Sequence, residues 1–465
     1  MTQAKKSQGM TNTLVQIAGR LLARLARHQT VQNGIVRLAS AYRQEQNVSA
    51  ASSGHEIAEV LPIDARPAKS LGKTRLNLLV PAVSQRHVFG GIETALQAFD
   101  ALRPYFDQAR IIVTDEAAPE PRTDAYYGNW PIVTMASDAP PINHIVPAGS
   151  RWAQTLVVHE QDHFMATAWW TAHNALALLS WQQTLAPEAV AWRILYLIQD
   201  YEPGFYPWSS RYLLAQATYE QPHRTIALMN SQWLADYLQA QGYEFPIQRV
   251  LQPRLHPVLA AVRSRQPTFV KDRIVLVYGR PTTERNAFSL IVASLRIWAS
   301  QYPEAAQWRV VSAGEEFAPI DLGNACTLHS VGKLAIEDYA DLLSRTAVGF
   351  SLMVSPHPSY PPLEMAAFGA HVVVNRFANK DLSVVSPLLV PATPSNPAGF
   401  AAALLVLTQN FDADGAVQVP VSTPAQASKA GWLNEFMQSS GQEADWASDL
   451  AAELLGTAPS PIASV

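Results

Sequence analysis

RIVLVYGRPTTERNAF (residues 273–288) decides the fold. Its first half, Ile274 to Tyr278, is an unbroken apolar run. Strands with one wet face alternate apolar and polar residues, so an unbroken run fits a strand buried on both faces of a parallel sheet. Gly279 and Pro281 then break the run. After Asn286 the apolar residues take helical spacing. Strand, tight loop and helix are the units of parallel α/β sheets, whose chemistry sits in the loops after the strands. In this loop Arg280 and Arg285 flank a short turn before the helix. A guanidinium is a planar fork that matches phosphate oxygens, so the pair can neutralise a diphosphate. Two solvated loop arginines account for the same residues equally well.

The rhythm extends in both directions. Upstream, RLNLLVP, ARIIVT, QTLVVHE, RILYLIQD, TIALMNS and IQRVLQ read as buried strands, with helical patterns at 91–103, 165–181, 208–220 and 231–241. Residues 252–272, with prolines and basic residues, break the pattern and read as an interdomain connection. Downstream, WRVVSAG, CTLHSVG, VGFSLMVS and HVVVN continue the strands, with helices at 286–301, 334–344, 361–368 and 396–409. The expected fold class is therefore α/β, two doubly wound Rossmann-like domains facing across a cleft, at 73–255 and 256–425. An N-terminal helical extension (1–72) precedes them. C-terminal helices returning to the first domain follow in 426–465, where the end, TAPSPIASV, is expected to be disordered.

Composition narrows the function. The net charge of −4 argues against a nucleic-acid partner, which wants a basic face. A single cysteine, Cys326, allows no internal disulfide and suits a reducing, cytoplasmic compartment. No apolar stretch reaches the roughly 18–20 residues that span a bilayer, and the polar start shows no signal peptide. Leu14, Ile17, Leu21 and Leu25 share one side of a helical pattern with Arg20, Arg24 and Arg27 on another. Such a helix lies on an anionic membrane surface, or packs on its own domain or on a partner; residues 1–45 are the segment concerned. Residues 47–72, rich in Ser, Ala and Pro, read as a flexible tether.

Three further loops carry candidate chemistry. Gly90-Gly91 precede a helix, where free backbone N–H groups and the helix dipole favour an anion; an ordinary strand-to-helix turn has the same residues. LIQDYEPGFYPWSSRYL (197–213) holds Asp200, Tyr201 and Glu202 among five aromatic residues, a composition suited to sugar rings or to an aromatic core under a loop. Nearby, His159, Glu160, Asp162 and His163 follow a strand; lacking a helical frame, they do not read as a metal site. In SPHPSYPPLEMAAFG (355–369) Glu364 lies in the first turn of a helix. A carboxylate there accepts from adjacent hydroxyls of a ribose or hexose, or simply answers the helix dipole.

Taken together, the Gly-Gly loop, G-R-x4-R at Gly279–Arg285 and E-M-A-x-x-G at Glu364–Gly369 resemble glycosyltransferases of the GT-B fold, family 4. HVFGGIETA, IQDYEPGFYPWSSRYLLAQATY, YGRPTTERNAF, SPHPSYPPLEMAAFG and NRFANKDLS resemble, more narrowly, bacterial rhamnosyltransferases of the WsaF type. The resemblance implies retaining transfer of a sugar, L-rhamnose from dTDP-L-rhamnose, to a hydroxyl of a growing or lipid-linked glycan, without metal or other cofactor. It implies Arg280 and Arg285 (standing where family 4 has a lysine) on the donor diphosphate with Gly90 and Gly91, and Glu364 on the nucleotide ribose. The first of the two family glutamates is absent: Pro356 stands there, with His357 beside it as a donor-site residue. Asp200 is the candidate catalytic group, with Tyr201, Glu202 and His159 as acceptor or sugar contacts. Another nucleotide sugar (GDP- or UDP-hexose), a non-catalytic glycan-binding subunit and an epimerase of the same shape are the alternatives.

Overall fold

The computed structural model describes residues 56–68, 72–83, 90–116, 127–137, 142–152, 154–185, 193–266, 268–414, 418–420, 436 and 444–457. The basic amphipathic pattern of residues 14–27 and the tail beyond Thr457 lie outside them. A first unit ends at Leu61, and its described part holds one 3-10 turn, Ala58–Val60. The second unit, Pro62–Val465, carries two seven-stranded sheets.

The first sheet is parallel throughout and has the order β4-β3-β2-β6-β7-β8-β9. Its strands are β2 (Arg75–Val80), β3 (Gln108–Val113), β4 (Asn143–Pro147), β6 (Asp162–Ala166), β7 (Ile194–Ile198), β8 (Thr225–Met229) and β9 (Ile247–Val250). Helices α1 (Gly90–Leu102), α2 (Trp169–Gln183), α3 (Ser210–Tyr219) and α4 (Gln232–Ala240) connect them. Ser209 and Ser231 cap α3 and α4 by accepting the N–H groups of Tyr212 and Leu234. β7 and β8 are buried on both faces, as apolar runs require, and so is β2, whose Arg75 and Asn77 are answered by Asp162.

The second sheet has the order β13-β14-β12-β11-β15-β16-β17 and is parallel apart from its edge strand β13. It comprises β11 (Asp272–Gly279), β12 (Arg309–Gly314), β13 (Ile320–Gly323), β14 (Cys326–Gly332), β15 (Thr346–Phe350), β16 (His371–Val374) and β17 (Leu389–Pro391). Helices α6 (Phe288–Gln301), α7 (Ile336–Arg345), α8 (Tyr360–Ala367) and α9 (Pro397–Asp414) cover it. Trp298 of α6, fully buried, donates to Thr408 of α9 at 3.1 Å, tying two helices on one face.

Both sheets wind outward from their first strand. In each, chain order runs one way from β2 or β11 and then reverses, so the carboxyl ends of β2 and β11 lie at switch points, where such folds leave a crevice. Helix α10 (Ala444–Leu455) comes back to the first sheet, placing Ala447, Leu450, Ala451 and Leu454 in the core with Leu76, Leu78 and Phe99. Phe436 packs instead in the core of the second sheet. Among the described residues no helix is long and apolar enough to cross a membrane.

Several local expectations differ from the structure. QTLVVHE does not enter the main sheet: β5 (Leu156–Val158) pairs with β1 (Ala65–Pro67) in a separate two-stranded ribbon. The chain turns at once into β6, which begins on the charged Asp162. Part of the expected tether is thus ordered, with Ala65–Pro67 in a strand and Ile63 in the core of the first sheet. The connection at 252–272 folds as helix α5 (Pro257–Arg265) and strand β10 (Thr268–Val270), the latter paired with β18 (Gln418–Pro420). His256 caps α5 by accepting from Val258 N–H, and Pro257 fits its first turn.

Candidate active site

Asp200 lies two residues beyond β7, and the loops after β11 and β15 reach it. Arg285 Nε stands 3.3 Å from Asp200 Oδ2. Ser355 Oγ hydrogen-bonds Asp200 Oδ1, which also accepts Tyr201 N–H at 2.9 Å. One carboxylate of the first lobe is therefore held by two residues of the second. The Arg285 guanidinium also lies 4.3 Å from the centre of the Phe205 ring, a cation–π contact that fixes its plane.

Backbone contacts explain why these loops meet. Val354 N–H donates to Arg285 carbonyl oxygen at 2.7 Å, joining the loop after β11 to that after β15. Asn375 receives Met353 N–H at 2.7 Å and returns a hydrogen bond to Met353 carbonyl at 3.0 Å. Lys380 Nζ donates to the carbonyls of Met353 (2.7 Å) and His357 (3.2 Å). The stretch NRFANKDLS thus staples the proline-rich loop from below. Ser359, at φ 68°, turns that loop into α8 in a conformation uncommon for a residue with a side chain.

Arg280 takes a different partner. Its Nε lies 3.2 Å from Glu315 Oε1, and Glu315 also accepts Thr282 N–H (2.9 Å) and Oγ1–H (2.7 Å). Glu315 follows β12 directly, and Gly314 (φ 131°) makes the approach possible: a Cβ there would sit 2.4 Å from Gly279 carbonyl oxygen. Glu364, half-buried in α8, accepts from Tyr339 Oη at 3.0 Å. Burial pushes its carboxyl up to about 7, Tyr339 opposing and Glu93 of the first lobe adding to the rise. Tyr360, the first residue of α8, is hydrogen-bonded to Thr94 of α1. The helix that begins at Gly90-Gly91 therefore faces the helix carrying Glu364; residues 84–89 of the preceding loop lie outside the described residues.

His357 is buried beside this cluster. Burial, with Lys380 and Arg285, holds its imidazole down to about 4 against the opposing pull of Asp200. Burial likewise brings Lys380 down to about 7, with Asp200 opposing.

Two expected contacts fall elsewhere. Glu202 turns inward: it accepts from Trp169 N–H at the start of α2 and from Tyr196 Oη at 3.1 Å, and burial pushes it up to about 8. Both bonds go to Oε2, so this oxygen of the carboxyl is committed to the core. His159 lies at the opposite end of the sheet. Asp162 opens β6 opposite Arg75, which opens β2, so the cluster sits at the amino ends of the strands, whereas Asp200 follows the carboxyl end of β7. There Asp162 receives Arg75 Nε (2.6 Å), Arg75 Nη2 (2.7 Å) and Asn77 Nδ2 (3.0 Å), with Arg110 Nη2 at 3.5 Å. Burial alone raises a carboxyl, but the two guanidiniums overcome it and carry Asp162 far below the usual range. This is an internal ion cluster. Tyr201 is half-exposed but belongs to a tyrosine cluster, stacked on Tyr219 at 6.1 Å and edge-on to Tyr237 at 5.2 Å between ring centres.

Sequence reading missed Ser355, Glu315, Tyr339 and Lys380. Ser355 and Lys380 lie within the motif stretches, but nothing in their spacing tells that one meets Asp200 and the other holds the loop.

Two outward-wound sheets, with the Arg280–Arg285 loop at the switch point of the second, define the class: the GT-B architecture of glycosyltransferases. The fold is shared with sucrose-phosphate synthase from Thermosynechococcus elongatus, at TM-score 0.50 and 16% identity over 83% of this chain and 100% of that one. HepE from Anabaena, solved in complex with UDP and glucose, aligns at TM-score 0.45 and 13% identity over 78% of this chain and 97% of its own. The WsaF N-terminal domain matches residues 75–232 and the WsaF C-terminal domain residues 273–405, together more than half of the chain. The chain belongs to the WsaF family. The O-antigen biosynthesis protein RfbC from Myxococcus xanthus is 30% identical over 284 residues, which are 59% of this chain and 20% of RfbC, so the chain spans about a fifth of that relative's length.

Proposed function

We propose that the protein transfers L-rhamnose from dTDP-L-rhamnose to a hydroxyl of a bacterial surface glycan of the O-antigen kind, with retention and without a metal. The observation that carries this reading is the convergence of Asp200, Arg285 and Ser355 at the facing ends of the two sheets, beside the Arg280 loop. The bond from the sugar's anomeric carbon to the β-phosphate oxygen breaks as the acceptor oxygen bonds to that carbon. Negative charge grows on the departing diphosphate, and Arg280, Arg285 and the N-terminus of α1 stabilise it. The acceptor proton passes to the departing phosphate oxygen on the same face. Asp200 orients the sugar or acceptor, and Glu364 accepts from the ribose hydroxyls. The RfbC likeness supports a glycan acceptor on the cell surface pathway, and an N-terminal segment on the cytoplasmic membrane face would bring the enzyme to a lipid-linked acceptor.

The test is release of nucleoside diphosphate from dTDP-L-rhamnose, dTDP-glucose, GDP-mannose and UDP-glucose, with a lipid-linked glycan primer and with or without EDTA. Preference for dTDP-L-rhamnose unaffected by EDTA is expected. Preference for a UDP or GDP sugar would move the assignment to another donor within the same fold, and failure with every donor would favour a binding subunit.

A further inference from the structure

Two adjacent glutamates follow β12, and they face different surroundings. Glu316 is exposed, whereas Glu315 is half-buried and turned onto the loop after β11. Every polar group of Glu315 is engaged. Its N–H donates to Gly279 carbonyl oxygen at 2.9 Å, and its own carbonyl accepts from Ser330 Oγ at 2.9 Å. Carboxylate Oε1 accepts Arg280 Nε and Thr282 Oγ1–H, and Oε2 accepts Thr282 N–H. Arg280 is held along its length as well. Its carbonyl accepts Thr283 N–H at 3.0 Å, and its stem passes Gly314, where a Cβ would lie 3.3 Å from Arg280 Cγ. The Tyr278 side chain hydrogen-bonds it from β11.

We propose that Glu315 is a positioning residue for Arg280: it grips Nε and so presets the guanidinium that answers the charge growing on the departing diphosphate. This rests on the nucleotide-sugar reading above. A neutral acceptor would suffice to brace Thr282. A carboxylate adds a charge-assisted bond, about twice as strong as a neutral one, to the group that must hold still. An arginine stem has many rotamers, and a donor already in place stabilises developing charge without reorganising. A guanidinium has donors on more than one edge, so a carboxylate on Nε sets the plane without taking the whole fork.

The experiment is a double-mutant cycle on the full chain, comprising the wild type, Glu315→Gln, Arg280→Ala and the double variant. Steady-state release of nucleoside diphosphate is followed with whichever of dTDP-L-rhamnose, dTDP-glucose, GDP-mannose and UDP-glucose the wild type turns over best, and melting temperatures are taken alongside. Glu315→Gln keeps the size of the side chain but removes its charge and one of its two acceptor oxygens. It should lower kcat about tenfold, part of the roughly hundredfold expected for a lost diphosphate donor, with donor KM changed less than about twofold. In the Arg280→Ala background the same change should cost less than about twofold, because the group it acts through is gone. Equal losses in both backgrounds would overturn the proposal in favour of a loop brace acting through Thr282. Wild-type kcat in Glu315→Gln would also overturn it, and so would a loss confined to KM. If Glu315→Gln melts too low to assay, Glu315→Asp, which keeps the charge on a shorter stem, runs the same cycle with the same readings. Wild-type kcat in Arg280→Ala would overturn the diphosphate role of Arg280, and a wild type that turns over none of the four sugars would overturn the nucleotide-sugar reading; either result takes this proposal with it.

Discussion

A carboxylate that must accept hydroxyl hydrogens works best ionised, and Glu364 sits where ionisation is opposed. Its carboxyl is raised to about 7, chiefly by burial, so it holds its proton below that pH and loses it above. Donor KM should therefore fall as pH rises through about 7. In Glu364→Gln, KM should stay high and the pH dependence should vanish; steady-state kinetics from pH 5.5 to 8.5 checks both. If the dependence persists in the variant, another raised group such as Glu202 is responsible. The candidate residues were legible in the sequence because loop position after a strand is legible: Arg280, Arg285 and Asp200 follow apolar runs, and Glu364 lies in the next helix, although that helix starts at Tyr360 and Glu364 falls beyond the first turn expected for it. Their partners were not. Asp200 and Glu202 stand two positions apart on one irregular loop, and only packing decides that the first meets Arg285 while the second turns toward Trp169 and Tyr196.

At the level of elements, strand β6 marks the limit of pattern reading. DHFMA begins with two titratable residues, which a buried central strand should exclude. The structure admits them because Arg75 lies opposite Asp162 and completes the charge pair inside the sheet. Missing that pairing misplaced His159 by the full length of the sheet. The correction makes a prediction. Asp162→Ala leaves the Arg75 and Arg110 guanidiniums buried without their anion and should cost about 3–5 kcal/mol in urea unfolding. His159→Gln should leave kcat/KM unchanged, because His159 is remote from Asp200. A large loss of turnover in a stably folded His159→Gln protein would return the cluster to the site. Helix α5 is the opposite case. Its start was written in His256 and Pro257, but the basic residues and prolines around it concealed the helix.

Across the whole molecule, two sheets of the same winding were readable because each apolar run is short and each is followed by helical spacing. The edges were less so: β13 and β17 are short, β4 is framed by polar residues and prolines, and β1 and β5 pair across about ninety residues of sequence. That ribbon sets where the chain can be cut. Deleting residues 1–70 removes Ile63 and β1 and should lower the melting temperature relative to the full chain, which thermal unfolding of the two proteins checks. The central claim is that the two lobes together hold a donor diphosphate, with Arg280 and Arg285 supplying the charge. Its most direct test is steady-state release of nucleoside diphosphate by the wild type, Arg280→Ala and Arg285→Ala, at matched folded fractions. Losing one such donor costs about 3 kcal/mol of transition-state stabilisation, so each variant should turn over roughly a hundredfold more slowly. Wild-type rates in both variants would contradict the account and place the diphosphate elsewhere.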